Sequence, residues 1–314
     1  MKKLMVIPLV AAGMAAMVGC SKTPVKEAAK NDAINLANLD TAVAPGTDFY
    51  QYACGGWMKN NPLKPEYARF GTFDQLRDNN QEQIRTLIEG LSETPGQEGS
   101  VGQKIGMLFA MGMDSVKLNE DGYAPIKDQL AEINKLGTKD ELTKMVATLH
   151  KEGMAPFFAL YVGADEKNSS MNIVQLYQAG LGMGDRDYYL LEDESSQKMR
   201  EAYKNYITRL FTLIGSSPEQ ADAAVNAIMK IERGIAEVSF SREDLRDSQK
   251  NYNKMSIEDF KAKNDLLNWD VYFESMGMMD IKYLDAKQLS FYEGLSALMK
   301  NTTLDEQKYY LTFN

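Results

Sequence analysis

The chain has 314 residues, 44% hydrophobic and 25% charged, with a formal net charge of −9. That is an ordinary globular composition, long enough for one large or two modest domains and for burial of roughly 75% of the unfolded surface without covalent staples. The acidic balance excludes a nucleic-acid binder, which must meet phosphates with a basic face.

Residues 1–19 read as a signal peptide. Lys2 and Lys3 precede an apolar run over residues 4–18 that contains Pro8 and Gly13. A spanning helix needs about 20 apolar residues, so this run is too short to cross a bilayer. It ends Met17-Val18-Gly19-Cys20-Ser21. A small residue directly before a cysteine resembles the lipobox of bacterial lipoproteins, in which the thiol takes a diacylglycerol. Cys20 is therefore the expected lipidation site, and the chain is expected to be anchored to a membrane of the bacterial cell envelope, facing the periplasm or the surface. Met17 stands where that box usually has leucine, which leaves a plain secretory signal as the alternative. Residues 20–45 lack periodicity and read as a flexible tether.

The body, residues 46–314, opens on DFYQYACGGWMKNNP at 48–62, dense in aromatics, with paired glycines and Cys54. Cys54 is the one cysteine beside Cys20, so no disulfide framework can form within the body. Thr72-x-x-Gln75 has the spacing of a capping box, and Leu76, Ile84, Leu87, Ile88 and Leu91 follow at helical spacing. A second helix is expected over 101–113 with Ile105, Leu108 and Phe109 inward. A third is expected over 125–136 with Ile126, Leu130 and Ile133 aligned. Thr138-Lys139-Asp140-Glu141 is a further capping box, opening a helix with Leu142, Met145, Val146 and Leu149 inward that closes at Gly153.

FFALYVG at 157–163 and NIVQLYQ at 172–178 change the period, and their aromatic and β-branched content predicts a β-hairpin joined through DEKNSS. The glycine-rich run 180–184 precedes Asp185-Arg186-Asp187, acids that would repel a phosphate, so its expected role is conformational. Helices resume near Ser195, with Tyr203, Tyr206, Ile207, Leu210 and Ile214 on one side. Ser217-Pro218-Glu219-Gln220 starts the next, expected to reach about Phe240. Ser256-x-x-Asp259 opens a short helix, and further pieces are expected near 269–276 and 287–299. Thr303-Leu304-Asp305-Glu306 opens the last. The chain stops at Asn314, which reads as a cut inside an element, with Asn314 as a genuine helix end the other reading.

Chemistry is sparse. His150 is the one histidine and stands near a predicted helix C-terminus, where it is expected at the surface beside the negative end of the helix dipole. H-E-x-x-H needs two histidines a turn apart and cannot exist here. No G-x-S-x-G elbow and no phosphate-binding glycine motif is present, and none of the 44 acids is singled out as a catalytic pair. The residues alone describe an exported, mainly α-helical chain with no self-contained catalytic or metal site.

Four collinear blocks carry a resemblance. They are DFYQYACGGW with ARFGTFDQLRDNN at 68–80, the hairpin YVGADEKNSSMNIVQLYQ, GLGMGDRDYY at 180–189, and LRDSQKNYNKMSIEDF at 245–260. Together they resemble the N-terminal half of the neprilysin family of zinc metalloendopeptidases, which includes endothelin-converting enzymes and bacterial oligopeptidase O. Met183 and Gly184 depart from the family's Leu-Pro. The resemblance implies a large multi-helix lobe with one small hairpin, truncated before the thermolysin-like catalytic lobe. Zinc belongs to that absent half of the full-length enzyme, not to this chain.

The partners it implies are the catalytic lobe and short peptide substrates, which the two lobes would enclose. Residues 48–70 would pack on the catalytic lobe, with Trp57 in the seam. Packing inside this lobe is the other reading. Cys54 stands where animal relatives have a cysteine bonded to the C-terminal half, and a free buried thiol competes with that pairing. Arg69 and Arg77 match arginines that face the C-terminal side of the peptide, where a guanidinium can clamp a carboxylate. For Arg77, pairing with Asp74 or Asp78 is the alternative. A non-catalytic helical lipoprotein that binds peptides or a partner protein is the rival to the peptidase reading.

Overall fold

The computed structural model describes residues 35–63 and 70–314. Cys20, Arg69, the signal peptide and most of the tether lie outside the described residues. Two compact units make up the chain, one ending at Met113 and the other Asp114–Asn314.

Among the described residues the first unit holds three α-helices, α1 (Phe49–Asn60), α2 (Thr72–Glu93) and α3 (Val101–Met113). Asp48 caps α1 by accepting the Gln51 N–H at 2.9 Å. The paired glycines explain how the chain before α1 lies across it. A Cβ on Gly56 would stand 2.4 Å from the Ala37 carbonyl oxygen, and one on Gly55 would stand 2.8 Å from Asp40 Cβ. The two glycines thus admit a close approach of this chain's own residues 37–40. The cap of α2 falls one residue earlier than the sequence suggests. Gly71 is the N-cap, and Asp74 rather than Gln75 reaches back, its Oδ2 accepting the Gly71 N–H at 3.0 Å. Helix α3 meets α2 through Gly106, where a Cβ would be 2.2 Å from the Leu91 carbonyl oxygen.

The second unit opens with a short helix that the sequence reading missed, α4 (Ser115–Asp121), followed by a 3-10 turn at Ala124–Ile126 and α5 (Lys127–Lys135). Helix α6 (Lys139–Lys151) begins with the expected reciprocal box between Thr138 and Glu141 and buries Leu142, Met145, Val146 and Leu149. Gly153, at φ +89°, ends it.

The hairpin is longer than predicted. β1 (Phe158–Asp165) and β2 (Asn168–Gln178) run antiparallel through most of the polar stretch and leave only Glu166 and Lys167 at the turn. Two short strands extend the pair into a four-stranded sheet: β3 (Lys254–Ser256) and β4 (Tyr283–Ala286), in the order β1-β2-β4-β3, with β2 and β4 parallel. Around it lie α7 (Asp187–Leu190), α8 (Glu194–Leu213), α9 (Pro218–Val238), α10 (Ile257–Lys263), α11 (Trp269–Met276), α12 (Leu289–Lys300) and α13 (Leu304–Phe313).

Ile231 and Ile235 of α9 belong to the main core, which packs Phe158, Phe260, Trp269, Tyr272 and Tyr292 into one aromatic cluster. The same stripe of α9, through Ala221, Ala224 and Ile228 nearer its N-terminus, forms a second core with Tyr189, Tyr203, Ile207 and Phe211. The other face of α9, with Asp222, Lys230, Arg233 and Glu237, is exposed, so the helix is amphipathic. No described helix is long and apolar enough to cross a membrane.

Candidate functional site

Helix α1 presents Cys54 and Trp57, both half-buried, and Trp57 stacks on Phe70 with centroids 6.0 Å apart. Cys54 has no disulfide partner among the described residues. Two turns into α2, Arg77 is half-exposed and lies 3.1 Å from Asp74 and 3.7 Å from Asp78. Arg69 falls outside the described residues, so the structure does not bring the two arginines together or hold them apart.

The apolar side chains of this first unit are the notable feature. Phe73, Leu76, Ile84 and Leu87 of α2 are exposed, Phe73 at 89%. So are Val101, Leu108, Met111 and Met113 of α3 and Phe49 and Tyr50 of α1. Among the described residues of these three helices, only Gly55 and Gly106 are buried. The sequence reading expected Ile105 and Leu108 inward; both are exposed, while Phe109 is half-buried. Amphipathic periodicity marks an apolar face, and here that face has no cover among the described residues of its own unit.

The second unit places its chemistry in the interior. His150 overturns the surface expectation. Its Nδ1 is 2.6 Å from the Tyr272 hydroxyl, its Nε2 is 3.2 Å from the Pro156 carbonyl oxygen, and its ring meets Phe158 edge-on at 4.7 Å. Burial pushes the imidazole down to about 4, so it is neutral at physiological pH. With both nitrogens engaged in an aromatic pocket, it is a packing residue.

The loop over residues 180–184 folds onto a buried carboxylate. Glu232 accepts the Gly182 N–H at 3.2 Å, the Tyr203 hydroxyl at 3.0 Å and the Tyr189 hydroxyl at 2.7 Å. The Met183 N–H donates to the Tyr189 oxygen at 2.9 Å. The expected conformational role of the glycines is confirmed by their surroundings. Gly180 and Gly184 have φ of +93° and +77°, and a Cβ on Gly182 would fall 1.8 Å from the Tyr203 oxygen.

A second polar network ties the sheet together. Asp165, 1% exposed, accepts from the Tyr252 hydroxyl at 2.8 Å, Lys254 Nζ at 2.7 Å and the Lys167 N–H at 2.9 Å. Lys254, then the Lys167 N–H and the Tyr252 hydroxyl, hold its carboxyl down to about 2. Asp285, buried in β4, accepts the Asn253 N–H at 2.7 Å and lies 3.3 Å from Lys287, which also pairs with Glu166. Burial pushes Asp285 up. Part of the 245–260 block that carries the resemblance thus serves the fold: Tyr252, Asn253 and Lys254 supply the donors that join β3 to both the hairpin turn and β4.

These buried acids went unnoticed in the sequence reading. For Glu232 a signal was available, because a carboxylate at position 232 interrupts the stripe Ile228, Ile231, Ile235. For Asp165 and Asp285 none was, since Tyr252, Asn253 and Lys254, which tie them into the sheet, lie tens of residues away.

Among the described residues no three His, Cys, Asp or Glu side chains converge as a metal site requires. With the single histidine committed to the core, the residues present do not fit a catalytic zinc. An apolar cleft of about 470 Å³, lined by Tyr123, Ile126, Leu130, Phe211, Ile214 and Phe313, offers volume but no set of convergent polar groups.

The model of peptidase family M13 matches residues 45–314. Endothelin-converting enzyme 1 of Mus musculus is 32% identical over 290 residues, covering 85% of this chain and 37% of the relative. The endothelin-converting enzyme homolog of Locusta migratoria is 29% identical, covering 76% and 34%. Among solved structures, the Mycobacterium tuberculosis zinc metalloprotease ZMP1 in complex with inhibitor superposes with a TM-score of 0.78 at 24% identity, covering 89% of this chain and 43% of that one. PEPO from Lactobacillus rhamnosis gives 0.66 at 19% identity, covering 86% and 42%. The chain therefore spans little more than a third of the length of the curated relatives it matches.

Proposed function

The chain belongs to peptidase family M13, of which it forms the N-terminal region, and on that premise we propose that it is the substrate-gating part of a lipid-anchored bacterial zinc metalloendopeptidase that cleaves short peptides. The metal and the groups that would activate water belong to a catalytic lobe, and this region's task is to enclose the peptide and orient it. The observation that carries the reading is the uncovered apolar surface of α1, α2 and α3. Side chains such as Phe73, Leu87 and Leu108 repeat at helical spacing yet stay in solvent. Exposed apolar patches of that kind mark a surface built for a protein partner. A freestanding lipoprotein would instead place polar residues there.

Arg69 and Arg77 are proposed to receive the C-terminal side of the peptide. Asp74 and Asp78 hold the Arg77 guanidinium on α2, and a substrate carboxylate would compete with them for its donors. Cys54 and Trp57 are proposed to lie in the seam with the catalytic lobe.

A solvatochromic dye that brightens on apolar surface tests the reading. The purified 314-residue chain should bind it strongly while keeping native helix content, and Phe73→Ser with Leu87→Ser should remove most of that signal without unfolding the chain. Weak dye binding by the folded, unsubstituted chain would contradict the proposal.

A further inference from the structure

Glu232 lies in the middle of α9, 1% exposed, with no cation paired to it among the described residues. The groups that face it are known from each side. Helix α7 offers the Tyr189 hydroxyl and α8 the Tyr203 hydroxyl, each donated to one oxygen of the same carboxyl. The loop offers the Gly182 N–H. Helix α13 brings Tyr310, whose hydroxyl donates instead to the Gly180 carbonyl at 2.9 Å and accepts the Phe157 N–H at 3.1 Å. Helix α12 meets α9 through apolar contacts, Leu298 against Gly234 and Gly294 against Val238. The charged groups nearby are engaged elsewhere: Asp185 with Arg242, Arg186 with the Ser239 carbonyl, Lys230 with Glu306, and Arg233 with Glu237.

Glu232, Tyr189 and Tyr203 therefore form a buried cluster of oxygens that can carry its proton in two ways. Ionised, the carboxylate accepts from all three donors. Neutral, its O–H donates to the Tyr189 oxygen while Oε1 keeps the Tyr203 and Gly182 donors. Burial decides between them, because a carboxylate with no cation loses its hydration and gains no counter-charge. It pushes the group up to about 7, against the three donated bonds. The same cluster grips the loop, through the Gly182 N–H directly and the Met183 N–H through Tyr189.

We propose that Glu232, Tyr189 and Tyr203 form a proton-operated clasp on the 180–184 loop, closed while the carboxyl is neutral and weakened as its proton is lost. The sign follows from linkage. A carboxyl whose closed-state pKa is raised contributes its full stabilisation below its ordinary value of 4.5. That contribution falls as pH rises, and the fall levels off above about 7, where the closed form ionises as well.

Amide hydrogen exchange at Gly182 and Met183, corrected for the chemical rate, reads the clasp directly in the full chain. Protection should fall by about tenfold per pH unit between about pH 5 and pH 7 and then flatten. In Glu232→Gln it should be independent of pH. An identical pH course in both proteins would overturn the proposal. Should Glu232→Gln fail to fold, the carboxyl carbon of Glu232 in the unsubstituted chain decides by its own titration. A midpoint near 7 supports the clasp, and a carboxylate already ionised at pH 5 overturns it.

Discussion

Arg77 shows how much a single side chain's environment adds to its residue type. Its guanidinium is half-exposed and lies between Asp74 and Asp78, so its fork is already oriented before any ligand arrives. In the full-length enzyme, Arg77→Met should lower kcat/KM for peptides with a free C-terminal carboxylate by about tenfold or more, the worth of one charge-assisted hydrogen bond. Amidated versions of the same peptides should be nearly unaffected, and an equal loss on both would remove Arg77 from substrate recognition. His150 and Glu232 make the complementary point. Each was legible by register: His150 is four residues beyond Val146 and seven beyond Thr143, both buried on α6, and Glu232 stands four beyond Ile228. Residue type argued for the surface, and helical phase, which argued for the interior, prevailed in both.

At the scale of elements, the long helices were legible because their ends are written in local chemistry. Thr138, Ser217, Ser256 and Thr303 each accept the backbone N–H three residues on, as their sequence contexts predict. Thr138→Ala should therefore lower stability by about 1 kcal/mol, read as a lower urea midpoint at unchanged slope. No change in midpoint would mean that Glu141 and water satisfy the helix end without the hydroxyl. The strands β3 and β4 could not be read. Three and four residues are too few for an alternating pattern, and what fixes them is the distant pairing of Asn253 with Asp285 and of Lys254 with Asp165. The hairpin was found but drawn short, because the polar residues after Asp165 look like loop while their backbone continues the ladder. The inward faces of α2 and α3 were misjudged for a different reason: periodicity shows which face is apolar, not whether anything in the same unit covers it.

For the whole molecule, membership of the M13 family and a mainly helical fold were within reach of the sequence. They rest on blocks spread from residue 48 to residue 260, and the family match runs over residues 45–314. Export and membrane attachment belong to the proposal for the entire chain, and attachment is proposed to depend on Cys20. Detergent phase partitioning after expression in a bacterial host should place the chain in the detergent phase and Cys20→Ala in the aqueous phase; equal partitioning would remove the lipid anchor from the account. The central claim is that this region shapes and closes a peptidase without building the catalytic centre. Hydrolysis of a quenched-fluorescent short peptide by the purified 314-residue chain, supplied with zinc and compared with and without a chelator, tests it most directly. The account predicts no chelator-sensitive turnover, whereas turnover that requires zinc and is lost on chelation would contradict it.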